Sequence, residues 1–274
     1  MRFGIAFCLL FSLLPLTARG AEADELNAAL KRREPVTALM IARPMAEKGI
    51  PIAEYTLATI LEGGFGYLNP DYPQAIMWLR RAAEHGEPYA QATLGNRLAN
   101  GHHVTQDFKE AVKWYTLSGN VVVSAAEELA GFYDKGIGVE RNDVEALKWY
   151  HVAAKLGSAN AEAAIGAFYI DARAGLKHDD IAANTWLLKS AQHGSPLGQM
   201  GMGQAYFKAA GVEQDFVKAF VWLSLAMKNP KLPEVSNEAL RVQLQGDLDT
   251  LAKRLDTKQK ADAEKQISEW RLTP

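Results

Sequence analysis

Tryptophan recurs along this chain at a nearly constant interval. Trp78, Trp114, Trp149, Trp186 and Trp222 are separated by 36, 35, 37 and 36 residues. A period between about 20 and 50 residues is typical of proteins built from stacked supersecondary units, none of which buries its apolar face alone. The interval therefore predicts a repeat protein of about five units in which the tryptophans belong to the core.

Other residue types keep the same interval, and each fits a helix. An N-capping residue stands seven positions before each Trp and an alanine three positions before it, so the alanine and the Trp share one helix face. A second segment of each unit carries large apolar residues four positions apart, and glycines separate the segments. This pattern predicts an all-α solenoid of helix pairs. The predicted caps are Asp71, Asp107, Asn142, Asp179 and Asp215, and Asp107 with Glu110 and Asn142 with Glu145 match a capping box.

The two ends are predicted to be caps, residues 21–50 and 229–274, around a solenoid that spans 51–228. Polar end caps prevent solenoids from stacking end to end, so the chain is predicted to be a monomer. The caps are predicted to form helices near 23–33, 38–48, 234–254 and 258–271. The first C-terminal helix has an apolar stripe of Leu244, Leu248, Leu251 and Leu255, and Asp256 with Gln259 forms a capping box for the second.

The first 20 residues carry the features of a secretory signal. Arg2 is followed by an apolar run from Ile5 to Leu16, and Ala18-Arg19-Gly20 offers small residues to a signal peptidase. About twelve apolar residues are too few for a membrane-spanning helix. Cleavage after Gly20 and a periplasmic or secreted location are predicted. A buried N-terminal helix and a lipoprotein anchored at Cys8 are the alternatives.

Composition excludes several classes of protein. Apolar residues make up 48% of the chain and charged residues 23%, which argues against disorder. The formal net charge is −2, so there is no excess of cations for nucleic-acid binding. Cys8 is the single cysteine and lies in the predicted signal, so the mature chain has no thiol for a disulfide or a zinc site.

No catalytic, cofactor or metal site is predicted. His85 and His193 each precede a loop glycine, where the helix dipole favours histidine. A metal site at His102-His103 with Asp107 is an alternative that we regard as weaker, because Asp107 occupies a cap position. The segment from Gly194 to Gly198 lacks the Gly-x-Ser-x-Gly spacing of a nucleophile elbow.

Two stretches resemble the signature of the Sel1-like repeat, a relative of the tetratricopeptide repeat. They are Val104-Thr105-Gln106-Asp107…Ala111…Trp114-Tyr115 and Gly138-Val139…Asn142…Ala146…Trp149-Tyr150. The resemblance covers roughly residues 35–227. Two units depart from the pattern, since position 121 is Val where a glycine is expected and the loop after Tyr169 has one extra residue. These loops are predicted to bulge.

The resemblance implies a non-catalytic protein-binding scaffold or adaptor that presents a concave groove lined by the first helix of each pair. Its partner is a protein, in one version a secreted toxic effector such as an envelope-targeting lipase that the chain would neutralise as an immunity protein. An envelope hydrolase acting on the cell wall or on β-lactams, and a structural component of an envelope complex, are the alternatives.

Positions that vary between units are the candidates for partner binding. Aromatic residues and arginine dominate the energy of interface centres. The candidate partner-binding residues are Ile60, Asn96, Arg97, Phe132, Phe168 and Gln204. Packing of Phe132 and Phe168 into the neighbouring layer is the alternative for those two.

Overall fold

The computed structural model describes residues 21–63, 69–232 and 238–270, and these residues contain 14 α-helices. The chain divides into two compact units, Met1–Ala125 and Ala126–Pro274. The helices that lie in the first unit are α1 (Ala21–Lys31), α2 (Pro35–Glu47), α3 (Pro51–Leu61), α4 (Tyr72–Glu84), α5 (Pro88–Asn100) and α6 (Phe108–Ser118). Successive helices from α1 to α6 pack against each other.

The second unit continues the same alternation of helices. Its helices are α7 (Val123–Lys135, which begins three residues before the division), α8 (Asp143–Lys155), α9 (Ala159–Ile170), α10 (Asp180–Gln192), α11 (Pro196–Lys208), α12 (Phe216–Lys228), α13 (Glu238–Arg254) and α14 (Thr257–Glu269). Helix α12 packs against both α13 and α14. The all-α architecture of five helix pairs with additional helices at both ends is thus confirmed.

The predicted helix starts are confirmed in all five pairs. Each predicted capping side chain accepts a hydrogen bond from the backbone N–H three residues later, at 2.9 to 3.1 Å. The capping box of Asp256 with Gln259 is present in full. At Asp107 and Asn142 the predicted capping boxes were wrong in one respect, since the glutamate side chain does not bind the backbone N–H of the capping residue. Glu110 instead accepts from Arg80, and Glu145 pairs with Lys148.

Small residues let the paired helices approach closely. The alanine three positions before each Trp is fully buried, which confirms the small-beside-large pattern. Gly95 shows how tight the contact is, because a Cβ added there would lie 2.8 Å from Cε1 of Tyr115. A substitution at Gly95 would therefore push α5 away from α6.

The tryptophans are less uniform than the sequence predicts. Trp78 and Trp149 are buried, whereas Trp114, Trp186 and Trp222 are half-buried. The three partly exposed rings have polar or aromatic neighbours: Trp114 donates to Glu110, Trp186 meets the edge of His151, and Trp222 meets the edge of Trp270. The assignment of all five to the core was therefore too simple.

Both end caps are helical, as predicted. The leucine stripe is buried at all four positions, three of them on α13 and Leu255 just beyond it, so this helix turns its apolar side inward. On α14, Ala263 is buried against Val221 and Leu225 of α12, with Trp270 just beyond the helix packed beside them. Residues 1–20, and with them the predicted signal and its cleavage site, lie outside the described residues.

Candidate protein-interaction surface

The first helices of the pairs keep part of their surface free of neighbouring helices. In the first unit, the partly exposed residues of α3 recur at spacings of four and three, so they share one side of the helix. Residues of α5 meet them from the adjacent pair. We call this surface the inner patch, and its members are Tyr55, Thr59, Glu62, Thr93, Asn96 and Arg97.

Hydrogen bonds between α3 and α5 hold the inner patch together. The hydroxyls of Tyr55 and Thr93 are 3.2 Å apart, and Nη2 of Arg97 donates to Oε2 of Glu62 at 2.7 Å. Burial raises the pKa of Tyr55, so its hydroxyl stays neutral and available for hydrogen bonding. The inner patch is thus polar and preformed.

The ion pair in the inner patch is incompletely satisfied. An arginine and a carboxylate often form two parallel hydrogen bonds, but Arg97 and Glu62 form one. Within the described residues, Nε of Arg97 and Oε1 of Glu62 are buried and have no hydrogen-bond partner. Buried polar atoms of this kind are uncommon, and each costs free energy until a partner satisfies it.

The predicted partner-binding residues fall into three groups. Asn96 is exposed and Arg97 is partly exposed, and both belong to the inner patch. Ile60, Phe132 and Phe168 are only 1%, 6% and 1% exposed, so these side chains face the core and offer almost no surface to a partner. This burial favours the alternative of packing into the neighbouring layer. Gln204 is half-buried, and its Nε2 donates to Oδ2 of Asp247 on α13 at 2.5 Å.

Arg173 has an important role in the second unit that the sequence analysis missed. Its guanidinium lies 4.1 Å from the ring centroid of Phe168, binds Asp143 at 2.6 Å and also pairs with Asp134. The signal was the extra residue in the loop after α9. This loop places Ala172 and Ala174 at φ of 52° and 55°, a left-handed conformation that costs alanine roughly 1 kcal/mol or more.

The Arg173 cluster shifts the titration of its neighbours. Hydrogen bonds from Arg173 lower the pKa of Asp143 to about 2. Burial, reinforced by the charge of Asp134, raises the pKa of Tyr150 to about 12. Asp143 therefore remains ionised and bound to Arg173 near neutral pH, and the cluster acts as a structural clamp over Phe168.

Two buried glutamates explain the recurring histidines. Glu54 binds Nδ1 of His85 at 2.7 Å and Nε of Arg81 at 2.6 Å. Glu162 repeats the arrangement with His193 at 2.8 Å and Lys189 at 2.9 Å. In the fifth pair neutral residues take these positions: Gln199 replaces the glutamate and Asn229 replaces the histidine. The side-chain amide of Asn229 donates to Gln199 at 3.0 Å. We call these contacts, which occur in three of the pairs, the repeat latches. Both histidines also cap helices, as the sequence predicts.

The other residues considered for metal binding or catalysis make structural contacts. His103 stacks on Tyr72 with ring centroids 3.6 Å apart, and the parts of the chain with described positions contain no cluster of residues that would hold a metal ion. Ser195 is buried and its hydroxyl donates to Asn160. Over the same residues, no helix has the length and apolar character needed to cross a bilayer.

Comparison with known proteins identifies the repeat. The Sel1 repeat family model matches residues 51–87, 88–120, 123–158, 159–195 and 196–229. The chain belongs to the Sel1 repeat family. The five matched segments correspond to the helix pairs α3–α4, α5–α6, α7–α8, α9–α10 and α11–α12. Sel1 repeats form scaffolds that are typical of protein binding and are generally non-catalytic.

Solved Sel1 structures share this fold. A Sel1 repeat protein from Oxalobacter formigenes superimposes with a TM-score of 0.72 at 28% identity, covering 79% of this chain and 87% of that one. A protective antigen present in uropathogenic Escherichia coli strains has a TM-score of 0.55 at 26% identity, covering 87% of this chain and 56% of that one. Both are similar to this Sel1 protein over most of its length.

Curated relatives are much longer proteins. DAP3-binding cell death enhancer 1 from Rattus norvegicus is 35% identical over 95 residues, which is 34% of this chain and 18% of the relative. Protein sel-1 homolog 2 from Homo sapiens is 28% identical over 116 residues, which is 40% of this chain and 17% of the relative. The matched part of this Sel1 chain thus spans less than a fifth of either relative.

Proposed function

We propose that this Sel1 repeat protein is a non-catalytic scaffold that binds an extended segment of a protein partner on the inner patch. The observation that carries the proposal is the side chain of Asn96, which is exposed on α5 and makes no hydrogen bond within the described residues. An asparagine amide both donates and accepts, so it can pair with the peptide groups of another chain.

The spacing of two asparagines supports an extended partner. Asn100 is also exposed and follows Asn96 by four residues, a rise of about 6 Å along an α-helix. Two residues of an extended strand span about 6.6 Å, which is nearly the same distance. Asn100 uses its Nδ2 to bind the carbonyl of Asn96, and this leaves its Oδ1 as an acceptor for a partner N–H.

The inner patch costs little to organise on binding. Its side chains are already fixed by the contact of Tyr55 with Thr93 and by the ion pair of Glu62 with Arg97. A preformed surface loses little conformational entropy on association, so more of the contact energy appears as affinity. The chain that orders on binding is then the partner segment.

The setting of this binding is part of the proposal. The signal-like N-terminal residues support export to a periplasm or beyond. The resemblance to exported Sel1-like proteins supports a narrower version, in which the partner is a secreted toxic effector and the chain is its immunity protein. Both versions predict a protein partner that the inner patch contacts directly.

The test is a capture experiment with paired variants. Asn96→Arg places a bulky charge on the inner patch, whereas Leu117→Arg places the same residue on α6, where Leu117 is exposed. Both variants should keep the helical circular dichroism of the wild type. Proteins captured from envelope extract by each form are identified by mass spectrometry, and the candidate is then titrated as a purified protein.

The proposal predicts a partner that binds wild type and Leu117→Arg equally and binds Asn96→Arg at least about tenfold more weakly. Equal binding to all three forms would mean that the partner uses another surface. Capture that is lost equally in both variants would also count against the inner patch.

A further inference from the structure

The exposed side of α2 carries apolar side chains that no part of the described chain covers. Val36 is 57% exposed and Met40 is 71% exposed. They are four residues apart, so they stand next to each other on one helix face, and Arg43 extends the same stripe three residues later. Isolated exposed apolar residues are ordinary, but an adjacent pair bordered by cations is typical of surfaces that bind something.

The arginines around this pair differ from the other arginines of the first unit. Arg32, Arg33 and Arg43 form no ion pair within the described residues. The remaining described arginines of the unit each bind a glutamate: Arg80 binds Glu110, Arg81 binds Glu54 and Arg97 binds Glu62. Between positions 31 and 43 the chain has four cationic residues and one acidic residue. We call Arg32, Arg33, Val36, Met40 and Arg43 the α2 surface.

Acidic residues also lie near the α2 surface, which itself contains three arginines and no carboxylate. Glu34 is half-buried next to Arg33, and Glu47 is exposed near the C-terminal end of α2. At the start of α1, Glu22 binds Lys48 at 3.5 Å. Asp24 and Glu25 are exposed on α1 and lie eight and seven residues before Arg32, a rise of about 10–12 Å along a helix, which is close to the Debye length at 0.1 M salt.

We infer that the α2 surface docks on an anionic membrane, with Val36 and Met40 inserted at the interface and the arginines against lipid phosphates. Arginine matches phosphate oxygens with two parallel hydrogen bonds. A bilayer interface deforms around protruding side chains, whereas a protein partner needs a shaped cavity to receive them. The protrusion of Val36 and Met40 therefore favours a lipid surface over an acidic protein. The inference goes beyond the proposed function, because the α2 surface and the inner patch share no residue.

The test is co-sedimentation of the full chain with vesicles. One set contains phosphatidylcholine alone and the other contains about 30% phosphatidylglycerol, which supplies the negative charge. The variants are Arg32→Glu with Arg33→Glu, and Val36→Ser with Met40→Ser. The matched control is Arg241→Glu with Val242→Ser on α13, where an exposed valine also follows an exposed arginine that forms no ion pair among the described residues.

Wild type and the α13 control should bind the anionic vesicles equally and bind phosphatidylcholine alone at least about tenfold more weakly. Charge reversal should reduce binding to the anionic vesicles by about tenfold or more, and the serine pair should reduce it by roughly fivefold. Failure of the wild type to bind anionic vesicles at low salt would overturn the inference. So would equal losses in the α13 control, or tighter binding to soluble polyglutamate than to the vesicles.

Discussion

Helices α5 and α9 occupy the same place in their repeats, yet they present opposite surfaces. On α5, Asn96 is exposed and Arg97 is partly exposed beside Glu62. On α9, the corresponding residues are Ala167, which is exposed but small, and Phe168, which is buried. The repeat therefore fixes where the helix lies, and two variable residues decide whether its surface can bind another molecule.

The position of the arginine explains this difference. In the first unit, Arg97 belongs to the helix itself and meets a carboxylate of the adjacent pair. In the second unit, Arg173 comes from the loop after α9 and covers Phe168, where it is held by Asp134 and Asp143. Arg97 thus leaves the polar surface of α5 accessible, whereas Arg173 covers the aromatic ring of Phe168.

The largest predicted effect tests whether the two units share one scaffold. Trp78→Ala and Trp149→Ala each remove a buried indole at the same repeat position, so each should lower the free energy of unfolding by about 3–5 kcal/mol. Urea denaturation measures the change, with Val144→Ala as an exposed control near zero. A loss in one unit alone would show that the scaffolds are not equivalent.

The arginines should differ in their contribution to stability. Arg173→Leu leaves Asp134 without its cation, leaves Asp143 with the exposed Arg141 alone and uncovers Phe168, so it should cost about 2 kcal/mol, allowing for partial exposure. Arg97→Leu breaks a single ion pair and should cost about 1 kcal/mol.

Arg141→Leu is the control for both changes. Arg141 is largely exposed and touches Asp143 at 3.2 Å, so its loss should cost less than about 0.5 kcal/mol. If Arg173→Leu cost no more than Arg141→Leu, the clamp over Phe168 would have no energetic basis.

The sequence predicts the scaffold well because every repeat carries the same pattern of residues. The caps, the buried alanines and the leucine stripe of α13 all lie where their spacing places them. The exposed residues of the first helices were harder to predict, because a shift of one position along a helix rotates the side chain by about 100°. Ile60, Phe132 and Phe168 precede the predicted core position by one residue and are buried as well.

The repeat latches could have been found from the sequence. Of the five pairs, the two that have glutamate as the fourth residue of the first helix, Glu54 and Glu162, are also the two that end in His85 and His193. In the third pair the corresponding residues are Ala126 and Leu156. The clamp by Arg173 was not predictable in the same way, because the path of a loop with an extra residue depends on what it packs against.

A double-mutant cycle on the fourth pair tests how the latch stabilises it. Glu162→Ala and His193→Leu alone each leave unpaired polar groups and should cost about 1–2 kcal/mol. The double variant reproduces the apolar residues of the third pair, and should cost less than the sum of the two. Strict additivity in urea denaturation would show that the two side chains do not act together.

Acid should weaken the clamp over Phe168. The folded-state pKa of Asp143 lies near 2, below its ordinary 3.8, so its ion pair stabilises the fold above about pH 4. That stabilisation is lost as pH falls toward 2. Wild type should therefore lose stability more steeply over this range than Arg173→Leu, in which the pKa of Asp143 is less depressed because only Arg141 still binds it. Parallel pH profiles would contradict the assignment.

The most direct test compares the two helices with one substitution. Asn96→Arg and Ala167→Arg place the same bulky charge at the same repeat position, once on the open surface of α5 and once on α9. Calorimetric titration of each purified variant with the captured partner gives the affinities. The account predicts a loss of at least about tenfold for Asn96→Arg and less than about twofold for Ala167→Arg. Equal losses, or a larger loss for Ala167→Arg, would contradict it.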